Sequence, residues 1–90
     1  MTGPVVTIEL LGLARFHAGV PEMLATGRTL GDLLTSIVRQ CPRLAGLVTD
    51  TGGLSRQYLV SVNGERFTDD LCEPVSAGQR LLILGADPGG

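Results

Sequence analysis

Hydrophobic and polar residues alternate from Val5 to Leu11, with Val6, Ile8 and Leu10 on one side and Thr7 and Glu9 on the other. That period of two predicts a half-buried strand, which Gly12 ends. No clear period runs from Leu13 to Val20, which reads as a loose hairpin connection. Pro21 to Thr26 then predicts a short second strand, turned by Gly27-Arg28. The period changes after Thr29. Leu30, Leu33, Leu34, Ile37, Val38 and Cys41 recur at helical spacing and draw one apolar stripe along about three turns. Thr29 suits the N-cap, Asp32 places a carboxylate near the helix N-terminus, and Arg39 complements the other end. Pro42 stops the helix, because the residue before a proline is pushed out of helical geometry.

Leu44, Leu47 and Val48 predict a short helical turn, and Asp50-Thr51-Gly52-Gly53 a flexible loop. Arg56 to Val62 is strand-like, Asn63-Gly64 is a strong two-residue hairpin signal, and Glu65-Arg66-Phe67 is the return strand. Asp69 to Val75 crosses irregularly, and Ser76 to Gln79 turns into Arg80–Leu84. The four consecutive apolar residues Leu81 to Leu84 predict a strand covered on both faces at the centre of a sheet. Gly85-Ala86-Asp87-Pro88-Gly89-Gly90 shows no period and little apolar surface, as expected of an extended tail. The organisation predicted is thus a folded body over residues 1–84 and a tail over 85–90. Its class is α+β, a mixed sheet of four to five strands with one main helix packed across it.

Composition narrows the function. Ninety residues suit one domain, and 43% hydrophobic content is enough for one core. Aromatic content of only 3% means a core of Leu, Val, Ile and Ala, with no platform on which single-stranded nucleic acid could stack. The seven basic residues are all arginine, scattered along a chain of net charge −2, so no nucleic-acid stripe exists and lysine Schiff-base chemistry is excluded. No signal peptide or membrane-length apolar run is visible, and a soluble, cytoplasmic protein is expected. Cys41 and Cys72 form no CxxC pattern and read as reduced, small buried hydrophobes. His17 reads as a loop or packing histidine, Asp69-Asp70 as a solvated turn, and Gly52-Gly53 lacks the Lys-Ser/Thr of a phosphate loop. No catalytic residue and no metal site are expected; two cysteines cannot supply the four ligands of an iron–sulfur cluster.

Several segments, taken in order, resemble the MoaD/ThiS sulfur carriers, including the CysO-like carriers and the small subunit of molybdopterin synthase. Thr29-Leu30-Gly31-Asp32-Leu33-Leu34 is similar to the family's helix start. Cys41-Pro42-Arg43-Leu44 resembles its helix ending, with Cys41 where Tyr or Phe is commoner. Val62-Asn63-Gly64 resembles its hairpin, and Leu71…Val75…Gly78-Gln79-Arg80-Leu81 its approach to the last strand, with Gln79 in place of the usual Asp. The sequence then closes on Gly89-Gly90, as these carriers do. The resemblance spans Val5 to Gly90 and implies a β-grasp, ubiquitin-like fold.

The same resemblance implies a function. Gly90 would be adenylated by a ubiquitin-activating-type adenylyltransferase/sulfurtransferase using ATP and Mg²⁺, and sulfur would then replace AMP to give a thiocarboxylate. A sulfur-accepting synthase subunit would be the second partner, in molybdopterin or in cysteine and thio-metabolite synthesis. This chain would be a protein cosubstrate, binding no cofactor of its own. Gly85, Ala86, Asp87, Pro88 and Gly89 would enter the partner's active site, and Phe67, Leu82 and Leu84 would offer apolar contact beside them. Elementary chemistry agrees with that arrangement. Six residues span at most roughly 20 Å, enough to enter a deep cleft. Glycines at the last two positions pass a narrow channel and leave the carbonyl open, while Pro88 stiffens the approach. A free α-carboxyl, with a pKa of about 3.3–3.7, is a poor electrophile at neutral pH and needs activation. The alternatives are a ubiquitin-like interaction module whose tail does no chemistry, and, with less support, a small enzyme.

Overall fold

A computed structural model describes residues 3–49 and 51–85. Five strands form one sheet: β1 (Val5–Gly12), β2 (Glu22–Thr26), β3 (Tyr58–Val62), β4 (Arg66–Phe67) and β5 (Arg80–Gly85). Their order is β2-β1-β5-β3-β4; β5 runs parallel to β1 and antiparallel to β3, and the two outer pairs are antiparallel hairpins. The main helix, α2 (Leu30–Gln40), lies across one face, and a 3₁₀ helix (Pro42–Leu47) follows it. This is the five-stranded mixed sheet of the β-grasp fold.

The core lies between sheet and helix. Val6, Ile8 and Leu10 of β1, Leu81 and Ile83 of β5, and Leu30, Leu33, Leu34 and Ile37 of α2 are all buried, with Leu44 and Leu47 of the 3₁₀ helix closing one side. Val38 and Cys41, the rest of the apolar stripe, pack half-buried against them. The helix starts where it does because every orphan N–H of its first turn finds an acceptor. Thr29 Oγ1 accepts from Asp32 N at 3.2 Å, and the Thr29 carbonyl from Leu33 N. The crossing segment supplies the other two, the Glu73 carbonyl to Leu30 N and the Leu71 carbonyl to Gly31 N. Asn63 and Gly64 both take positive φ, 56° and 72°, in the tight turn between β3 and β4. The Asn63 side chain also accepts from Arg80 N at 2.8 Å, which sets the start of β5.

Five expectations are corrected. Leu13–Ala18 is a short helix, α1, and not a loose connection; its inner side buries Ala14 against the sheet. β3 begins at Tyr58, because the Tyr58 N–H still bonds back to Ser55 and Arg56-Gln57 belongs to that turn. The last strand is central in the sheet but covered on one face only: Leu81 and Ile83 are buried, whereas Leu82 is half-buried and Leu84 is 37% exposed. Gly85 belongs to the body as the final residue of β5, opposite Gly12 and Tyr58. Both cysteines are free, but only Cys41 is partly buried; Cys72 is exposed.

Candidate functional site

Directly paired residues share a face, so the register defines what the sheet shows on the side away from α2. Leu82 of β5 sits between Glu9 and Ser61, and Leu84 between Leu11 and Leu59. Phe67 of β4 lies opposite Ser61. Phe67, Leu82 and Leu84, the three apolar residues expected to meet a partner, are therefore brought together on one open face. Phe67 is 69% exposed. Leu59, 41% exposed, completes the patch and was missed, although the alternation of Tyr58-Leu59-Val60 with the core places it on that side. A shallow groove of about 450 Å³ runs beside it, lined by Leu54, Arg56, Leu59, Phe67 and Asp69 among others.

Charged residues border this patch. Arg80 reaches along the same face to Glu9, at 3.1 Å, and to Glu22, at 2.9 Å, which ties β5 to β1 and β2. Those carboxylates hold the guanidinium above its ordinary pKa, Glu9 foremost by its hydrogen bond. On the far side Arg66 pairs with Glu73, which also accepts from Thr68 Oγ1 at 2.6 Å. The Arg66 hydrogen bond, followed by that of Thr68, pulls the Glu73 carboxyl below its usual value. Burial raises the Tyr58 phenol.

At the end of β5 the chain passes under α1. A Cβ at Gly85 would lie 2.5 Å from Leu13 Cβ and 2.6 Å from Ala14 N, so only glycine fits this crossing. Gly12, at φ 59°, turns β1 into α1 beside it. β5 thus reaches its last described residue in the central region of the sheet, beside α1. Ala86, Asp87, Pro88, Gly89 and Gly90, expected in the tail, lie outside the described residues.

The side chains with possible chemistry are dispersed. The His17 ring packs edge-on to Phe16 at 5.7 Å between centroids. Asp70 Oδ1 accepts from Cys72 N at 2.9 Å, so this carboxylate closes a turn. Among the described residues no group of three or more His, Cys, Asp or Glu is placed to hold a metal, and no helix is long and apolar enough to cross a membrane. The described residues present an apolar surface on the sheet.

No family model and no curated protein matches the sequence. Solved structures do. The crystal structure of SAMP1 from Haloferax volcanii has a TM-score of 0.82 and 27% identity, covering 96% of this chain and 99% of that one. The CysO chain of the Amycolatopsis orientalis BexX/CysO complex is 25% identical, with a TM-score of 0.78 over 94% of this chain and 99% of its own. A putative molybdopterin converting factor subunit 1 from Pyrococcus furiosus, 18% identical with a TM-score of 0.73 over 94% and 100%, shares the fold. The order of strands, the helix across them and these likenesses agree with the motifs from Thr29 to Leu81: the chain has a ubiquitin-like β-grasp fold and is similar to carriers and modifiers of the MoaD/ThiS type.

Proposed function

We propose that this chain is a sulfur carrier acting as a protein cosubstrate in the cytoplasm, with the carboxyl of Gly90 as its reactive group. A ubiquitin-activating-type enzyme joins that carboxylate to the α-phosphate of ATP, with Mg²⁺, and releases pyrophosphate. A sulfur nucleophile then attacks the acyl carbon, AMP leaves, and Gly90 carries a thiocarboxylate. An accepting synthase subunit takes the sulfur, in molybdopterin or in cysteine or thio-metabolite synthesis, and the carboxylate returns.

The observation that carries this reading is the nearly full-length likeness to the CysO chain of the BexX/CysO complex, in sequence as well as in fold. The body supports it in physical terms. β5 hands the chain out beside an apolar face, and no side chain is needed as base, nucleophile or metal ligand. The test is ATP–pyrophosphate exchange by an activating enzyme of the same organism. Exchange that depends on this chain and disappears when Gly90 is deleted supports the reading; exchange indifferent to that deletion refutes it.

A second reading has its own support in the likeness to SAMP1, small archaeal modifier protein 1. In that case the activated carboxyl is transferred to an amine of another protein. This chain has no lysine, so its own side chains would not be acceptors. Higher-mass conjugates that contain the chain mark this reading; a free thiocarboxylate marks the first.

A further inference from the structure

α1 lies at the surface, yet beside Arg15 and His17 it carries apolar residues on its outer side as well as its inner one. Its inner side buries Ala14 and rests Ala18 against the core. Its outer side shows Leu13, 38% exposed, and Phe16, 76% exposed, one turn apart, and Val20 follows at 41% just past the Gly19 cap. Phe16 is the most exposed large hydrophobic residue among those described, and its ring is steadied by edge-on contact with His17. These side chains stand on α1 and not on the sheet face of Leu59, Phe67 and Leu84, and nothing in the carrier chemistry above uses them.

Its position suggests an occupant. Leu13 and Ala14 lie directly over Gly85, where β5 ends. Five residues, Ala86 to Gly90, follow, and fully extended they reach at most roughly 18 Å. If Gly90 meets the α-phosphate of ATP inside an enzyme, the rim of that enzyme's cleft stands within this reach of Leu13. Phe16 is three residues, about 4.5 Å of helix rise, along from Leu13 and falls within the same radius. A short arm therefore forces α1 against the protein that takes it in.

We propose that Leu13, Phe16 and Val20 form a docking surface for the activating enzyme, with the Phe16 ring seated in an apolar pocket on the rim of its cleft. The inference rests on the carrier reading. It assigns α1 the role of gripping the enzyme while the arm supplies the reacting atom, so its loss weakens binding and spares the chemical step.

The experiment measures initial rates of adenylation at varied concentrations of this chain, with the activating enzyme of the same organism, ATP and Mg²⁺. Phe16→Ser is expected to raise KM for the carrier about tenfold, equivalent to ~1.4 kcal/mol, with kcat little changed. Phe16→Leu keeps KM near the native value. Leu24→Ser, which removes a comparably exposed side chain on β2 at the far edge of the sheet, changes neither constant. All three variants should melt with the native chain, since each side chain is mostly solvated. An unchanged KM for Phe16→Ser overturns the proposal and leaves the carrier reading standing. So does sedimentation showing a native dimer that Phe16→Ser makes monomeric while KM stays the same, because a second copy is then the occupant. A native chain that is never adenylated overturns both.

Discussion

Replacing Gly85 by alanine asks a methyl group to occupy space already filled by α1. The added carbon would stand 2.5 Å from Leu13 Cβ, 2.6 Å from Ala14 N and 2.9 Å from Leu13 Cα. Two of these atoms are backbone, so no rotamer change relieves the contact. Either α1 lifts from the sheet or β5 shifts in its pairing with Gly12 and Tyr58. Forced overpacking of this kind costs typically about 1–3 kcal/mol. With each kcal/mol worth several degrees in a domain this small, a mid-range cost lowers the melting temperature by roughly 8–16 °C. Gly46→Ala is the control: its Cβ meets nothing within 4 Å and its φ is not left-handed, so melting should stay level or rise slightly. Thermal unfolding followed by far-UV circular dichroism compares the two. If Gly85→Ala melts together with Gly46→Ala, α1 does not press on the end of β5, and the account of where the body ends and the arm begins fails.

Three further substitutions test other parts of the structure. Thr29→Ala removes the cap on Asp32 N and should cost about 1 kcal/mol, seen as a lower urea midpoint at unchanged slope. Phe67→Ser should leave the melting temperature at the native value, because the ring is mostly solvated; a large drop would place Phe67 in the core instead. Glu73 has a folded pKa below its ordinary 4.5, held there first by Arg66, so it stabilises the fold above that value and loses the contribution as pH falls through the lowered one. Urea unfolding should accordingly show Glu73→Gln less stable than the native chain near neutral pH and the difference shrinking as the pH is taken below 4.5; a constant difference contradicts the ion pair.

Local rules made much of this fold readable. The stripe from Leu30 to Cys41 could only be a helix, and Thr29, Asp32 and Pro42 marked its ends. Asn63-Gly64 named a turn that needs two positive φ angles, and alternation along Val5–Leu11 identified the buried side of β1. The misreadings share a cause, which is that they depend on contacts distant in sequence. α1 has six residues, no side-chain cap and apolar residues on both sides, so its helix owes its existence to packing on β1 and the end of β5. Four apolar residues in a row suggested a strand covered twice, whereas only packing reveals that Leu82 and Leu84 face away from the helix. Gly85 read as the first residue of a tail because a glycine required for close approach is spelled the same way as a glycine in a loop. The patch of Phe67, Leu82 and Leu84 was named residue by residue, but only the strand register joins it. Exposed Cys72 was placed inside by composition alone, which carries no information about a turn closed by Asp70.

The central claim is that the reacting atom belongs to the main chain at Gly90 and to no side chain. Intact-mass measurement with fragment mapping, after incubation with the activating enzyme, ATP, Mg²⁺ and a sulfur source, tests it most directly. The expected result is one sulfur in place of one oxygen, located at Gly90 and absent without ATP. Sulfur found instead as a persulfide on Cys41 or Cys72, or an unchanged mass alongside active enzyme, would contradict it.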